Sequence, residues 1–92
     1  MDDDKQTKAS AARKREVAAE AEDIKSLMAV QWGRRVVWRL LADAGVFRLS
    51  FNTEPLLMAF AEGGRSSGLR LMAQVVRLCP EHYTTMQKEN QS

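Results

Sequence analysis

Hydrophobic residues recur three and four positions apart along most of this 92-residue chain, which is the periodicity of α-helices that bury one face. The first such segment follows Asp23, a plausible N-cap, and the second occupies residues 33–45. The third covers residues 55–79, and Pro80 is expected to end or kink it. The pattern predicts an all-α fold, either a small helical hairpin or a domain of three to four helices.

Two short segments interrupt this periodicity. Gly33 shifts the phase of the hydrophobic positions, which predicts a helix end there or a kink with a new start. Gly45 is a natural residue to follow a helix C-terminus, and residues 46–51 alternate loosely, as a short extended connector would. Asn52 or Thr53 is expected to cap the third helix.

The composition divides the chain into three parts. Residues 1–22, here named the arm, are polar, charged and rich in alanine, and Val17 is their only large apolar residue after Met1. Because the arm has no apolar stripe wide enough to bury, we expect an extended or helical arm that is disordered or frayed alone and becomes helical on a partner. Residues 23–87 form the predicted helical domain, and residues 88–92 form a polar tail.

The third predicted helix carries a regular row of apolar and small residues in steps of four and three, the spacing of one helix face packed on another. This row, here named the seam, comprises Leu57, Ala61, Gly64, Gly68, Leu71, Val75 and Leu78. Its glycines would let another helix approach closer than the usual interaxial distance of about 8–10 Å. Each glycine costs about 1 kcal/mol of helix propensity relative to alanine. Two glycines on one face therefore indicate that a close helix contact compensates for this cost.

Two other interpretations of the glycines carry less weight. A break or hinge at Gly63–Gly64 remains open, because paired glycines often end helices. A phosphate-binding loop is disfavoured, because no strand precedes the glycines and Leu69, rather than a lysine, follows Gly68.

The composition offers little for catalysis. The chain has a net charge of +2, one cysteine and one histidine, so it cannot form an internal disulfide or a histidine–cysteine zinc site. Cys79 and His82, three residues apart, are expected to be a buried thiol and a surface imidazole. We therefore expect no enzyme, no cofactor and no metal. A single core in so small a domain rarely supplies more than a few kcal/mol, so a partner is expected.

Five residues of the second and third helices are candidates for a partner interface: Arg34, Arg35, Trp38, Arg65 and Arg70. Arginine pairs well with carboxylates and phosphates, and buried tryptophan often anchors interfaces. The favoured alternative is that these arginines are solvated side chains on the polar faces of the helices. A nucleic-acid interface ranks below a protein interface, because the basic excess is small.

Three segments resemble a family of small virion-associated proteins of tailed phages: GRRVVWRLLADAGVF at 33–47, SFNTEPLLMAFAEGGRSSGLRLM at 50–72 and CPEHYTTM at 79–86. The family includes a Bordetella-phage protein and occurs mainly in podovirus-type genomes. The positions that match its pattern are Gly33, Arg34, Arg35, Trp38, Phe47, Phe51, Ala59, Phe60, Glu62, Gly63, Arg65, Ser66 and Gly68. Where the family often has Glu-Gly-Arg-Arg, this chain has Glu-Gly-Gly-Arg at 62–65.

The resemblance covers roughly residues 23–89 and implies a structural component of the virion, assembled in the host cytoplasm. Such a protein would bind a larger virion protein of the portal, tail or internal ejection apparatus, in several symmetry-related copies. The resemblance implies no small-molecule substrate, and no apolar run is long enough to cross a bilayer. Two alternatives stay open: arginine contacts with packaged nucleic acid, and regulatory binding to a host or phage enzyme.

Overall fold

The computed structural model of the chain describes residues 2–48 and 53–91. All regular secondary structure in these two ranges is helical: α1 is Asp2–Met28, α2 is Gln31–Asp43, α3 is Pro55–Leu78 and α4 is Pro80–Glu89. The predicted all-α class is confirmed, in its four-helix form.

Helix α1 runs without a break from the arm into the helical domain. Asp23 therefore lies inside a helix, and the prediction that it caps one is wrong. The arm is helical because alanine and long charged side chains have high helix propensity, so no local signal stops the helix before Met28. An ion pair of 3.5 Å between Lys25 and Glu22 spans one turn of α1 and adds a small local contribution.

Gly33 lies in the first turn of α2, two residues after the helix begins. The predicted break is real, but it falls between Met28 and Gln31, before Gly33. A Cβ on Gly33 would collide with the backbone oxygen of Leu27. The glycine therefore allows the start of α2 to lie directly against the end of α1.

The connector between α2 and α3 begins as a turn. Gly45 has a φ of 81°, a conformation that favours glycine, and its N–H donates to the carbonyl of Ala42 at 3.0 Å. Residues 44–48 form turns and a bend, and the rest of the predicted extended piece, residues 49–51, lies outside the described residues. Helix α3 is capped by Glu54, whose carboxylate accepts from the N–H of Leu56, so the prediction of a cap at Asn52 or Thr53 is wrong.

Seven buried side chains form the interior, and they come from only part of each long helix. They are Met28, Val37, Leu41, Val46, Val75, Cys79 and Met86. The interior thus lies between the C-terminal end of α1, helix α2, the C-terminal half of α3, and α4. The radius of gyration is 17.1 Å, against about 12 Å for a compact domain of this length. The chain is elongated because two helices extend beyond the interior.

The three glycines of α3 differ in what surrounds them. A Cβ on Gly68 would lie 2.5 Å from Cγ2 of Val46 and 2.7 Å from Cβ of Ala44. A Cβ on Gly64 would lie 3.9 Å from the carbonyl oxygen of Ala44, an ordinary contact, and one on Gly63 would meet nothing within 4 Å. Helix α3 runs through all three positions, which excludes a break at Gly63–Gly64. Gly68 is therefore the position at which α3 and the end of α2 meet most closely.

Two alanine substitutions in α3 separate close packing from helix propensity. Gly68→Ala is expected to lower the free energy of unfolding by about 1–2 kcal/mol, because the overpacking at Val46 and Ala44 outweighs the gain in propensity. Gly63→Ala, the matched control, is expected to raise it by up to about 1 kcal/mol, because it adds propensity without a clash. Urea unfolding followed by circular dichroism measures both. Equal shifts in the two variants would contradict the close contact at Gly68.

Candidate interaction surface

The seam is buried in its C-terminal half and exposed in its N-terminal half. Gly68 and Val75 are buried, and Leu71 and Leu78 are partly buried. By contrast, Ala61 and Gly64 are exposed, and so is Leu57, to 57%. The reason is the length of α2, which ends at Asp43, just before the Ala44 carbonyl that faces Gly64. Beyond that point nothing in the described residues covers the seam, so helix packing within this chain uses only its second half.

The first two turns of α3, residues 55–61, form an exposed apolar segment, here named the tip. Its sequence, PLLMAFA, contains no charged residue, and every one of its side chains is exposed. Leu56 is 79% and Phe60 84% exposed. A helix that is apolar on all sides is normally buried, so this segment is the strongest candidate for a contact surface.

A shallow groove lies between the tip and the end of α2. Its volume is about 340 Å³, and it is lined by Asp43, Ala44, Gly45, Arg48, Phe60, Ala61 and Gly64. Ala61 and Gly64 of the exposed half of the seam line it, together with Phe60 of the tip. The groove can accept an apolar side chain, but it gathers no group of residues suited to catalysis.

Arg34, one of the predicted interface residues, is engaged within the chain. Its Nε donates to Oε1 of Glu89 at 2.7 Å and its Nη2 donates to Oε2 at 3.1 Å. Its Nη1 donates to the carbonyl of Met28 at 3.0 Å. The side chain is only 12% exposed. Arg34 therefore ties α4 to α2 and to the end of α1, and it does not offer a free guanidinium to a partner.

This ion pair changes the titration of both groups. The hydrogen bond from Arg34 lowers the pKa of Glu89, against a smaller opposing effect of burial, and the charges of Arg34 and Arg35 lower it further. The same hydrogen bond raises the pKa of Arg34. The pair is therefore charged throughout the neutral range.

The remaining predicted interface residues do not form one patch. Arg65 donates from Nε to the carbonyl of Arg48 at 3.2 Å, which ties α3 to the connector. Trp38 is partly buried and stacks on Phe47, with ring centroids 4.6 Å apart and an angle of 26° between the planes. The charge of Arg35 contributes to the lowered pKa of Glu89, whereas Arg70 lines a groove with Glu20 of α1.

A family model for Bbp19-like phage proteins matches residues 24–88. The chain belongs to this family of phage proteins. The match begins in the last part of α1 and ends in α4, so the whole arm lies outside it, as the resemblance indicated. No curated protein and no solved structure matches the chain.

Among residues 2–48 and 53–91, no three side chains of histidine, cysteine, aspartate or glutamate are grouped so that they could hold a metal ion. Cys79 is buried, and this burial raises the pKa of its thiol. Within the same ranges, no helix is long and apolar enough to cross a membrane.

Three exposed apolar residues of the tip were missed in the sequence analysis, and two of them, Leu56 and Phe60, are the most exposed large apolar side chains among the described residues. Leu56, Met58 and Phe60 lie off the seam, so a search for one helix face passes over them. A signal for them exists in the sequence, because PLLMAFA is apolar at every position and so has no polar face at all. An all-apolar turn at a helix start indicates a surface that another molecule covers.

The Arg34–Glu89 pair predicts a pH-dependent contribution to stability. Because the pKa of Glu89 is lowered in the folded state, the pair stabilises the fold above the ordinary glutamate pKa of about 4.3. That contribution is lost as the pH falls through the lower folded-state value. Glu89→Gln is therefore expected to lower the melting temperature at pH 7 and to have a progressively smaller effect below about pH 4.

The matched control is Glu16→Gln, which changes an exposed carboxylate of the arm that makes no ion pair within residues 2–48 and 53–91. This control variant is expected to have the melting temperature of the wild type at pH 7 and at pH 3. A difference between wild type and Glu89→Gln that stays constant from pH 7 to pH 3 would contradict an ionised pair.

Proposed function

We propose that this chain is a structural component of a phage particle that binds a larger virion protein in several copies, and that the tip is a contact surface of this assembly. The observation that carries the proposal is the exposure of four large apolar side chains on the first two turns of α3: Leu56, Leu57, Met58 and Phe60. Membership of a phage protein family supports the virion as the setting.

The energetics favour a protein partner for the tip. Covering the exposed fractions of its four large side chains would contribute on the order of 5 kcal/mol before the costs of association. No charge within residues 55–61 has to be desolvated in the process. The small interior also fits a protein whose folding and assembly are linked, since seven side chains are few for an independent domain.

A second candidate, contact with packaged nucleic acid, is favoured by exposed arginines. Arg35, Arg39, Arg70 and Arg77 are all exposed, and none of them forms a salt bridge within the described ranges. They lie on the sides of α2 and α3 away from the buried residues of those helices. Such contacts would weaken steeply with salt, whereas an apolar contact at the tip would not.

Incorporation into particles tests the proposed function. The double variant Leu56→Ser with Phe60→Ser is expected to fold normally, because both side chains are exposed, and to be largely absent from purified particles, as measured by quantitative mass spectrometry. Leu40→Ser is the control, because Leu40 is a 54% exposed leucine on α2, outside the tip. Normal incorporation of the double variant would contradict a role for the tip.

The same particles distinguish the second candidate. Replacing Arg35, Arg39, Arg70 and Arg77 with glutamine is expected to leave incorporation intact if the tip binds a virion protein. If this variant is lost from particles while the tip variant is retained, the chain is held by nucleic acid instead.

A further inference from the structure

We propose that the tip of one copy of this chain packs against the arm of a second copy. The proposal rests on the multi-copy part of the proposed function and names the contact between copies. It draws on two exposed surfaces, on α3 and α1, that complement each other in size and charge but do not meet within one molecule.

The tip and the arm leave the body on the same side. Glu20 of α1 accepts a hydrogen bond from Gln74 of α3 at 3.2 Å. Further along both helices, Lys25 lies beside Leu78 and Cys79. Because residue numbers increase together along the two helices, α1 and α3 run in the same direction where they touch. Before this contact the two N-terminal halves separate, and every arm residue from Arg13 to Glu20 is exposed.

The arm carries an apolar stripe that continues the buried face of α1. Met28 is buried and Ile24 is packed against the interior, and Ala21 and Val17 follow at the same helical spacing toward the N-terminus. Val17 is 53% exposed. A shallow groove along this stripe has a volume of about 490 Å³ and is lined by residues of α1 alone: Ser10, Arg13, Lys14, Val17, Ala18 and Ala21.

The two surfaces fit each other in side-chain size. The tip presents large residues, Leu56, Leu57 and Phe60. The apolar lining of the arm groove consists of two alanines, Ala18 and Ala21, and one valine, Val17. Large side chains on one helix pack well against a face of small ones, because the helix axes can then approach closely. Two tips together would instead bring large side chains against large ones.

The charges beside these surfaces are also complementary. The tip lies between two acids in the sequence, Glu54 and Glu62, and Arg13 and Lys14 are among the residues that line the arm groove. Exposed opposite charges around an apolar contact set its register and steer its association. A tip paired with another tip would place Glu62 of each copy near acids of the other.

A second copy can make this contact where the same chain cannot. Helix α1 is continuous from Asp2 to Met28, so the arm could reach its own tip only by breaking or by moving the whole helix away from Gln74. Two copies can exchange contacts reciprocally, or several can join head to tail in a ring, without a change of fold. Either arrangement covers both exposed surfaces.

Cysteine cross-linking of the purified full chain tests the pairing. Ala61→Cys places a thiol on the tip and Ala18→Cys places one on the arm, and both positions are exposed. When the two single variants, one with a mass tag, are mixed with a short bismaleimide, a tagged–untagged dimer is expected. Neither variant alone is expected to cross-link, and the wild-type chain controls for the buried Cys79.

Two results would overturn the pairing. One is cross-linking of Ala61→Cys with itself, which would show that tips meet tips. The other is a chain that neither cross-links nor associates in sedimentation at concentrations up to the millimolar range. The second result would leave the proposed function standing if the tip variant were still lost from particles, so the two failures are distinguishable.

A charge exchange provides an independent measurement. Glu62→Arg alone, and Arg13→Glu with Lys14→Glu, are each expected to weaken self-association severalfold in sedimentation equilibrium at low salt, because like charges then face each other. The chain with all three changes is expected to recover the wild-type association. No recovery in the combined chain would overturn the pairing of these two surfaces.

Discussion

The structure depends on a mismatch between the length of its helices and the length of its interior. Helices α1 and α3 have 27 and 24 residues, but α2, which packs against both, has only 13. The faces of α1 and α3 that are buried beside α2 therefore continue past it without cover. Because the periodicity of these faces does not stop where α2 stops, the chain carries two unpaired helix surfaces as a direct consequence of its element lengths.

The small interior makes close helix contacts necessary, and two glycines allow them. At Gly33 the start of α2 lies on the backbone of Leu27, and at Gly68 helix α3 lies on Ala44 and Val46. With few large side chains to share, contact area is gained by bringing backbones together. Arg34 then connects three helix ends through Glu89 and Met28, so that α4 is held by a charged contact as well as by Met86.

Local signals in the sequence predicted the helices, and distant contacts explain what those signals missed. The positive φ of Gly45 and the end of α3 before Pro80 follow from backbone sterics at single residues, so they could be read directly. The arm and α1 could not be separated, because helix propensity continues through Asp23. The role of Arg34 depends on Glu89, 55 residues away, and the uncovered half of the seam depends on where α2 ends. Neither the ion pair of Arg34 nor the exposure of half the seam can be predicted from the residues that neighbour them in the sequence.

The charges on either side of the tip bear on which surfaces the proposed contact can use. An exposed run of apolar residues normally invites nonspecific association, and the acids at 54 and 62, one on each side of the tip in sequence, oppose it by repelling other copies of the same segment. In the proposed pairing, these acids would face the basic side chains of Arg13 and Lys14 on the arm of a second copy. In such a contact, burial of apolar area supplies the favourable free energy and the neighbouring charges select the partner. The tip can therefore combine affinity with specificity.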